Sequence, residues 1–109
     1  MKGYITLIVT SFFILVSYSQ VSVIHFNSSW NSENSFDVSG LKDCSTSSII
    51  ICEEPDMQEQ YKIKSVPTVI VFDEEIEVVR FEGGLMLSIS ATKKEIQKEI
   101  SSIYLKKFE

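Results

Sequence analysis

The apolar positions of this chain come in short runs with two different periods, separated by polar turns. Residues 21–26, VSVIHF, alternate at first and then turn apolar, which predicts a strand. Residues 27–34 are polar and turn-rich, with Trp30 their one apolar side chain. Phe36, Val38 and Leu41 then fall at a loose helical spacing. Gly40 and several Ser and Asp residues weaken it, so a helix of two or three turns is expected within 35–44. Residues 45–48 read as a turn. Ile49, Ile50 and Ile51 begin or centre a buried strand ending near Cys52. Pro55, Asp56 and Glu59 have the spacing of a helix start, with Asp56 as cap and Glu59 closing the box. After Pro67, Thr68 to Phe72 are all β-branched or aromatic, which predicts a strand covered on both faces. Residues 73–75 are an acidic turn and 76–82 an edge strand. Gly83 and Gly84 break that strand, and 85–91 form a loop of mixed character. Thr92 can cap a last helix with Glu95 as box partner, and Ile96, Ile100, Ile103 and Tyr104 line its inner face.

The order β-α-β-α-β-β-α follows. It implies an α/β fold with a four-stranded mixed sheet flanked by helices on both faces. The first crossover joins parallel strands, and the acidic turn makes the last two strands a hairpin.

The run at the N-terminus changes the domain reading. Residues 4–16 are almost wholly apolar, Lys2 is the only charge before Asp37 apart from Glu33, and Ser17 and Ser19 place small residues before Gln20. This is the pattern of a cleaved secretory signal over 1–19, leaving a domain over 20–109 that is exported to a periplasm or the exterior. The run is shorter than the ~20 apolar residues of a membrane span. The alternatives are an uncleaved anchor over 4–18 and a buried first strand.

Composition removes whole classes of function. A net charge of −5 opposes nucleic-acid binding and attraction to anionic membranes, so membrane contact is expected only through an uncleaved N-terminus. His25 is the one histidine, and Cys44 and Cys52 are the two cysteines, so no metal site or cofactor is expected. Intervening residues of strand would hold these two thiols roughly 20 Å apart, beyond disulfide reach.

With the elements placed, the residues resemble the thioredoxin family from about Val21 to Ile103. The resemblance rests on Tyr61-Lys62-Ile63-Lys64-Ser65-Val66-Pro67-Thr68, three aliphatics and Phe72, then Gly83, and on Phe26-Asn27-Ser28-Ser29-Trp30. It implies a minimal thioredoxin-like fold in which Pro67 is cis and faces the active site. Trp30 would stand just before the active-site motif. The family's two active-site cysteines would stand at 31 and 34, where this chain has Asn31 and Asn34. His25 stands in place of a buried acid. Without that thiol pair there is neither a nucleophile for disulfide attack nor a second thiol to resolve a mixed disulfide.

The resemblance therefore implies a redox-inactive domain that binds a protein or peptide at the Trp30/Pro67 face. One alternative is thiol-disulfide chemistry through Cys52 alone, and another is a degenerate member with little activity. Cys52 is expected as a small, buried or half-buried hydrophobe and His25 as a core histidine; Trp30 is either an interaction anchor, exposed among its polar neighbours, or a packing residue inherited with the fold. Glu33 is expected to favour a helix N-terminus.

Overall fold

The computed structural model describes residues 21–107. The segment read as a signal, 1–19, lies outside the described residues. Four strands form one mixed sheet in the order β2-β1-β3-β4. They are β1 (Val21–Asn27), β2 (Ser45–Ile50), β3 (Thr68–Asp73) and β4 (Ile76–Glu82). β1 runs parallel to β2 and antiparallel to β3, and β3 and β4 form the antiparallel hairpin. The two central strands are the most buried, being covered on both faces.

Among the described residues two α-helices accompany the sheet, α1 (Pro55–Gln60) and α2 (Lys93–Lys107). α2 covers one face. Its Ile96, Ile100 and Ile103 pack with Val21, Val23, Val69 and Val71, the inward positions of β1 and β3 on that side. Its start is capped as expected: the Glu95 N–H donates to Thr92 Oγ1 at 3.2 Å, and the Thr92 hydroxyl donates to Glu95 Oε1 at 3.4 Å. α1 buries none of its own residues. The second core is filled by Phe26, Ile51, Ile63, Val66, Ile70 and Phe72, with Tyr61 packed edge-on to Phe72.

Several local expectations are corrected. No helix forms between Phe36 and Cys44. The crossover from β1 to β2 is instead a 3₁₀ helix, Ser29–Asn34, followed by an irregular loop. Gly40 and Asp43 take positive φ in that loop, and the Asp37 carboxylate accepts hydrogen bonds from the Ser39 N–H and hydroxyl. A local side-chain turn has won over the helix ladder. The loop still buries Val38 and packs Phe36, Leu41 and Cys44 on the core. Gln97 of α2 pairs both ends of its amide with the Lys42 backbone, at 2.8 and 3.1 Å.

Strand β2 begins at Ser45 rather than Ile49 and ends at Ile50. Its bounds are set by the ladder to β1, from Ser22↔Ser45 to Asn27↔Ile50, and not by its own hydropathy. Helix α1 starts at Pro55 with Glu54 at the cap position and no side-chain cap, so Asp56 lies in the first turn and does not cap. Glu33 sits near the end of the 3₁₀ helix and caps no N-terminus.

Candidate functional site

The carboxyl end of β1, the turn after it and the segment before β3 meet at one end of the sheet. Val66-Pro67 is a cis peptide bond, and Val66, Pro67 and Thr68 are buried. The Thr68 hydroxyl donates to the Ser65 carbonyl at 2.8 Å, tightening this loop. Gly83, at the end of β4, donates its N–H to the Pro67 carbonyl at 2.8 Å. A Cβ on Gly83 would stand 2.9 Å from Pro67 Cδ and 2.9 Å from the Val66 oxygen, so only glycine admits this approach.

Opposite the proline loop, residues 27–36 form a turn held by side-chain amides. Asn27 Nδ2 donates to the Asn31 carbonyl at 3.0 Å and to Ser35 Oγ at 2.9 Å. Asn31 Nδ2 donates to Asn27 Oδ1 at 3.2 Å and across to the Leu87 carbonyl at 3.1 Å. Asn34 Nδ2 donates to Asn31 Oδ1 at 3.0 Å. Asn31 is only 4% exposed, so it is a fully partnered structural amide. Trp30, on the same turn, is 68% exposed.

Between these walls lies a groove of about 670 Å³. Trp30, Cys52, Ile63, Val66, Leu85 and Leu87 are among the residues that line it. The rim beyond β4 is a 3₁₀ turn, Gly84–Met86, that presents Leu85 fully to solvent and Met86 at 82% exposure. Leu87 follows in the left-handed region at φ 56°, strained for a branched side chain.

No protein-family model matches this sequence, and no curated protein does. Solved structures do. The malaria parasite thioredoxin-2, described as a component of protein secretion machinery, superposes with a TM-score of 0.62 at 15% identity, over 76% of this chain and 82% of that one. A mutant thioredoxin from Halobacterium salinarum gives 0.59 at 19% identity, over 80% and 77%. Thioredoxin 1 of Thermosipho africanus gives 0.59 at 18%, over 81% and 99%. The chain has the thioredoxin fold.

On this thioredoxin-like frame the structure brings Trp30, Asn31, Cys52 and the Pro67 loop to one end of the sheet. Asn34 is exposed on the same turn. Cys52 is exposed, contrary to the expectation of a buried hydrophobe, because β2 stops at Ile50 and the chain turns outward. Its sulfur lies 3.3 Å from Ser29 Oγ. Hydrogen bonds from the Ser29 side chain and then its backbone hold the thiol below its ordinary range. Cys44 is half-buried, and burial, then the neighbouring Asp43, pushes its thiol up. Both thiols are free.

His25 is 3% exposed and faces the base of the Trp30 turn rather than the groove. Its Nε2 accepts the Phe36 N–H at 3.1 Å and its Nδ1 lies 3.3 Å from Ser48 Oγ. Burial pushes its pKa down.

Two contributors escaped the sequence pattern, Leu85 and Leu87, which flank Met86 on the rim turn. The one signal was three consecutive large apolar residues after a Gly-Gly break, in a stretch with no periodic reason for them.

Proposed function

We propose that this chain is an exported, redox-inactive thioredoxin-like domain that binds an extended peptide segment of a partner protein in the groove between Trp30 and Leu85–Leu87. The observation that carries this reading is the ring of solvent-facing apolar side chains around the proline loop. Trp30 and Leu85 are exposed together there and line one groove with Val66 and Leu87, where scattered single apolar residues would need no explanation. A Trp anchor beside an apolar groove suits peptide contact. The partnering of Asn31 supports the loss of thiol chemistry, because this amide is built into the turn and stands where the family's first thiol would be. The apolar run at 4–16 with Ser17 and Ser19 after it supports export.

The test is binding of the full chain to an array of short extended peptides, read by Trp30 emission for the unaltered chain and by calorimetry for the variants. Apolar-rich peptides are expected to bind, and Trp30→Ala is expected to weaken them by roughly tenfold or more, as loss of an anchor does. Peptide binding that is indifferent to Trp30→Ala and to Leu85→Ser would sink the reading. The mass of the mature N-terminus checks export; a full-length mass in the cytoplasm counts against it.

A second reading has its own support. Cys52 is exposed in the groove wall with its thiol favoured towards thiolate by Ser29. Such a thiolate could attack a substrate disulfide, form a mixed disulfide and release one substrate thiolate. An external thiol would then have to resolve it. A disulfide-reductase assay with glutathione present separates the readings: turnover that disappears in Cys52→Ser favours the thiol enzyme.

A further inference from the structure

We propose that His25 is a protonation-sensitive latch for the Trp30 wall of the groove: uncharged, it closes residues 27–36 into the turn that presents Trp30, and on taking a proton it releases that turn. The consequence for binding rests on the peptide reading above, since it names how that site is regulated. The latch itself is a property of the turn.

The geometry starts at Nε2. The Phe36 backbone N–H donates to this nitrogen at 3.1 Å, so Nε2 must carry its lone pair and not a proton. The neutral ring then has its hydrogen on Nδ1, which donates to Ser48 Oγ at 3.3 Å. A second proton can go only to Nε2. It would set an N–H against an N–H inside a buried site and leave the Phe36 donor without a partner. Phe36 closes the base of the turn, eleven residues on from His25. Directly inside it, Ser35 Oγ accepts from Asn27, which also accepts from Asn31, which reaches Leu87 on the opposite wall. Release at Phe36 therefore loosens a contiguous set of hydrogen bonds that ends at both rims of the groove.

Among the described residues, none of the groups bonded to or paired with His25 carries a charge. From β2 the facing group is Ser48, from β3 the paired residue is Val69, and from the loop it is the Phe36 amide. α2 turns its isoleucines to this side of the sheet. Of the ionisable groups on these elements, Asp37 is engaged with Ser39 and Lys93, Asp73 with Lys107, and Glu95 with Thr92. On the loop, Cys44 is pushed towards its neutral thiol. Burial also lowers the His25 pKa. The stabilisation from neutral His25 is complete above its unfolded pKa of about 6.5 and is lost as pH falls through the lower folded value.

The test follows the full chain by NMR from about pH 7.5 to about pH 4.5, the range in which a histidine titrates. The His25 Cε1–H, the Phe36 amide, the Asn31 side-chain amide and the Trp30 indole N–H are expected to share one midpoint below about 6.5. Protection of the Phe36 amide is expected to fall roughly tenfold beyond its intrinsic pH dependence. His25→Gln, which keeps an acceptor and a donor without ionising, is expected to abolish the common transition.

The latch is wrong if His25 does not titrate in this range. It is equally wrong if His25 titrates while the turn signals stay still, or if their midpoint survives His25→Gln. Should that variant not fold, the shared or unshared midpoint in the unaltered chain decides. Peptide affinity is measured separately at about pH 7.5, where the latch is closed. Its absence there removes the peptide reading and leaves the NMR midpoint to decide the latch.

Discussion

Cys52 and Cys44 show how far two identical residues diverge with their surroundings. One is exposed and hydrogen-bonded by Ser29; the other is half-buried beside Asp43. Thiolate fraction and access both favour Cys52, so it is expected to alkylate with iodoacetamide about ten times faster than Cys44 at neutral pH. Ser29→Ala is expected to slow Cys52 by roughly two- to threefold, because it removes the side-chain donor to sulfur. Peptide mapping by mass spectrometry reads both rates, and equal rates would contradict the assignment. The sequence places Cys52 near the site through its position after the second strand. It does not reveal the exposure, which depends on where the β1–β2 ladder ends. Trp30 and Pro67 were legible through the resemblance to thioredoxins, because a Trp after a strand end and a Pro before an apolar strand are short motifs of that family. Leu85 to Leu87 were not, because exposed apolar residues in a loop follow no period.

The hairpin joining β3 and β4 is an element whose sequence works against its geometry. Its two loop residues, Glu74 and Glu75, have φ of 52° and 71°. Two successive positive φ values are those of a type I′ turn, which Asn-Gly favours and two β-carbon-bearing acids resist. Glu74→Asn with Glu75→Gly is expected to raise stability by about 1 kcal/mol. The urea midpoint should rise at constant slope; an unchanged or lower midpoint would mean that the turn carries no strain. The same hairpin shows why element existence was readable and detail was not. The apolar run after Pro67 and the acidic turn fix two antiparallel strands. The bulge at Val78, where Val71 faces Val79 and Phe72 faces Glu77, leaves no mark in hydropathy. Glu77 and Arg80 pair beside that bulge at 2.6 Å. Arg80 then reaches the Tyr61 and Lys62 carbonyls beyond α1. The loop at 36–44 misled for the opposite reason: its apolar spacing is real and its side chains pack on the core, but an irregular backbone delivers them.

For the whole molecule, the two cores differ in what secures them. α2 is fastened along its length: three isoleucines are buried, Lys107 pairs with Asp73 at 2.9 Å, Tyr104 donates to the Asp43 carbonyl at 2.7 Å, and Gln97 grips Lys42. α1 buries nothing of its own and is held by the residues that follow it, Tyr61 and Ile63, and by Arg80. Local opening draws on elements with few buried apolar contacts, so the amides of α1 are expected to exchange by local unfolding. Those of β1, β3 and α2 are expected to exchange only with the whole domain. Ile100→Ala removes a fully buried side chain from the tightly held face and is expected to cost about 2–5 kcal/mol. In a small domain whose total is on the order of 5–15 kcal/mol, that is a large share. Native-state hydrogen exchange separates the two faces: Ile100→Ala should lower the opening free energy of β1, β3 and α2 together and leave the α1 amides unchanged. A matching loss at α1 would show that both faces open as one unit. The groove would then rest on a uniformly cooperative frame, instead of lying beside a helix that opens by itself.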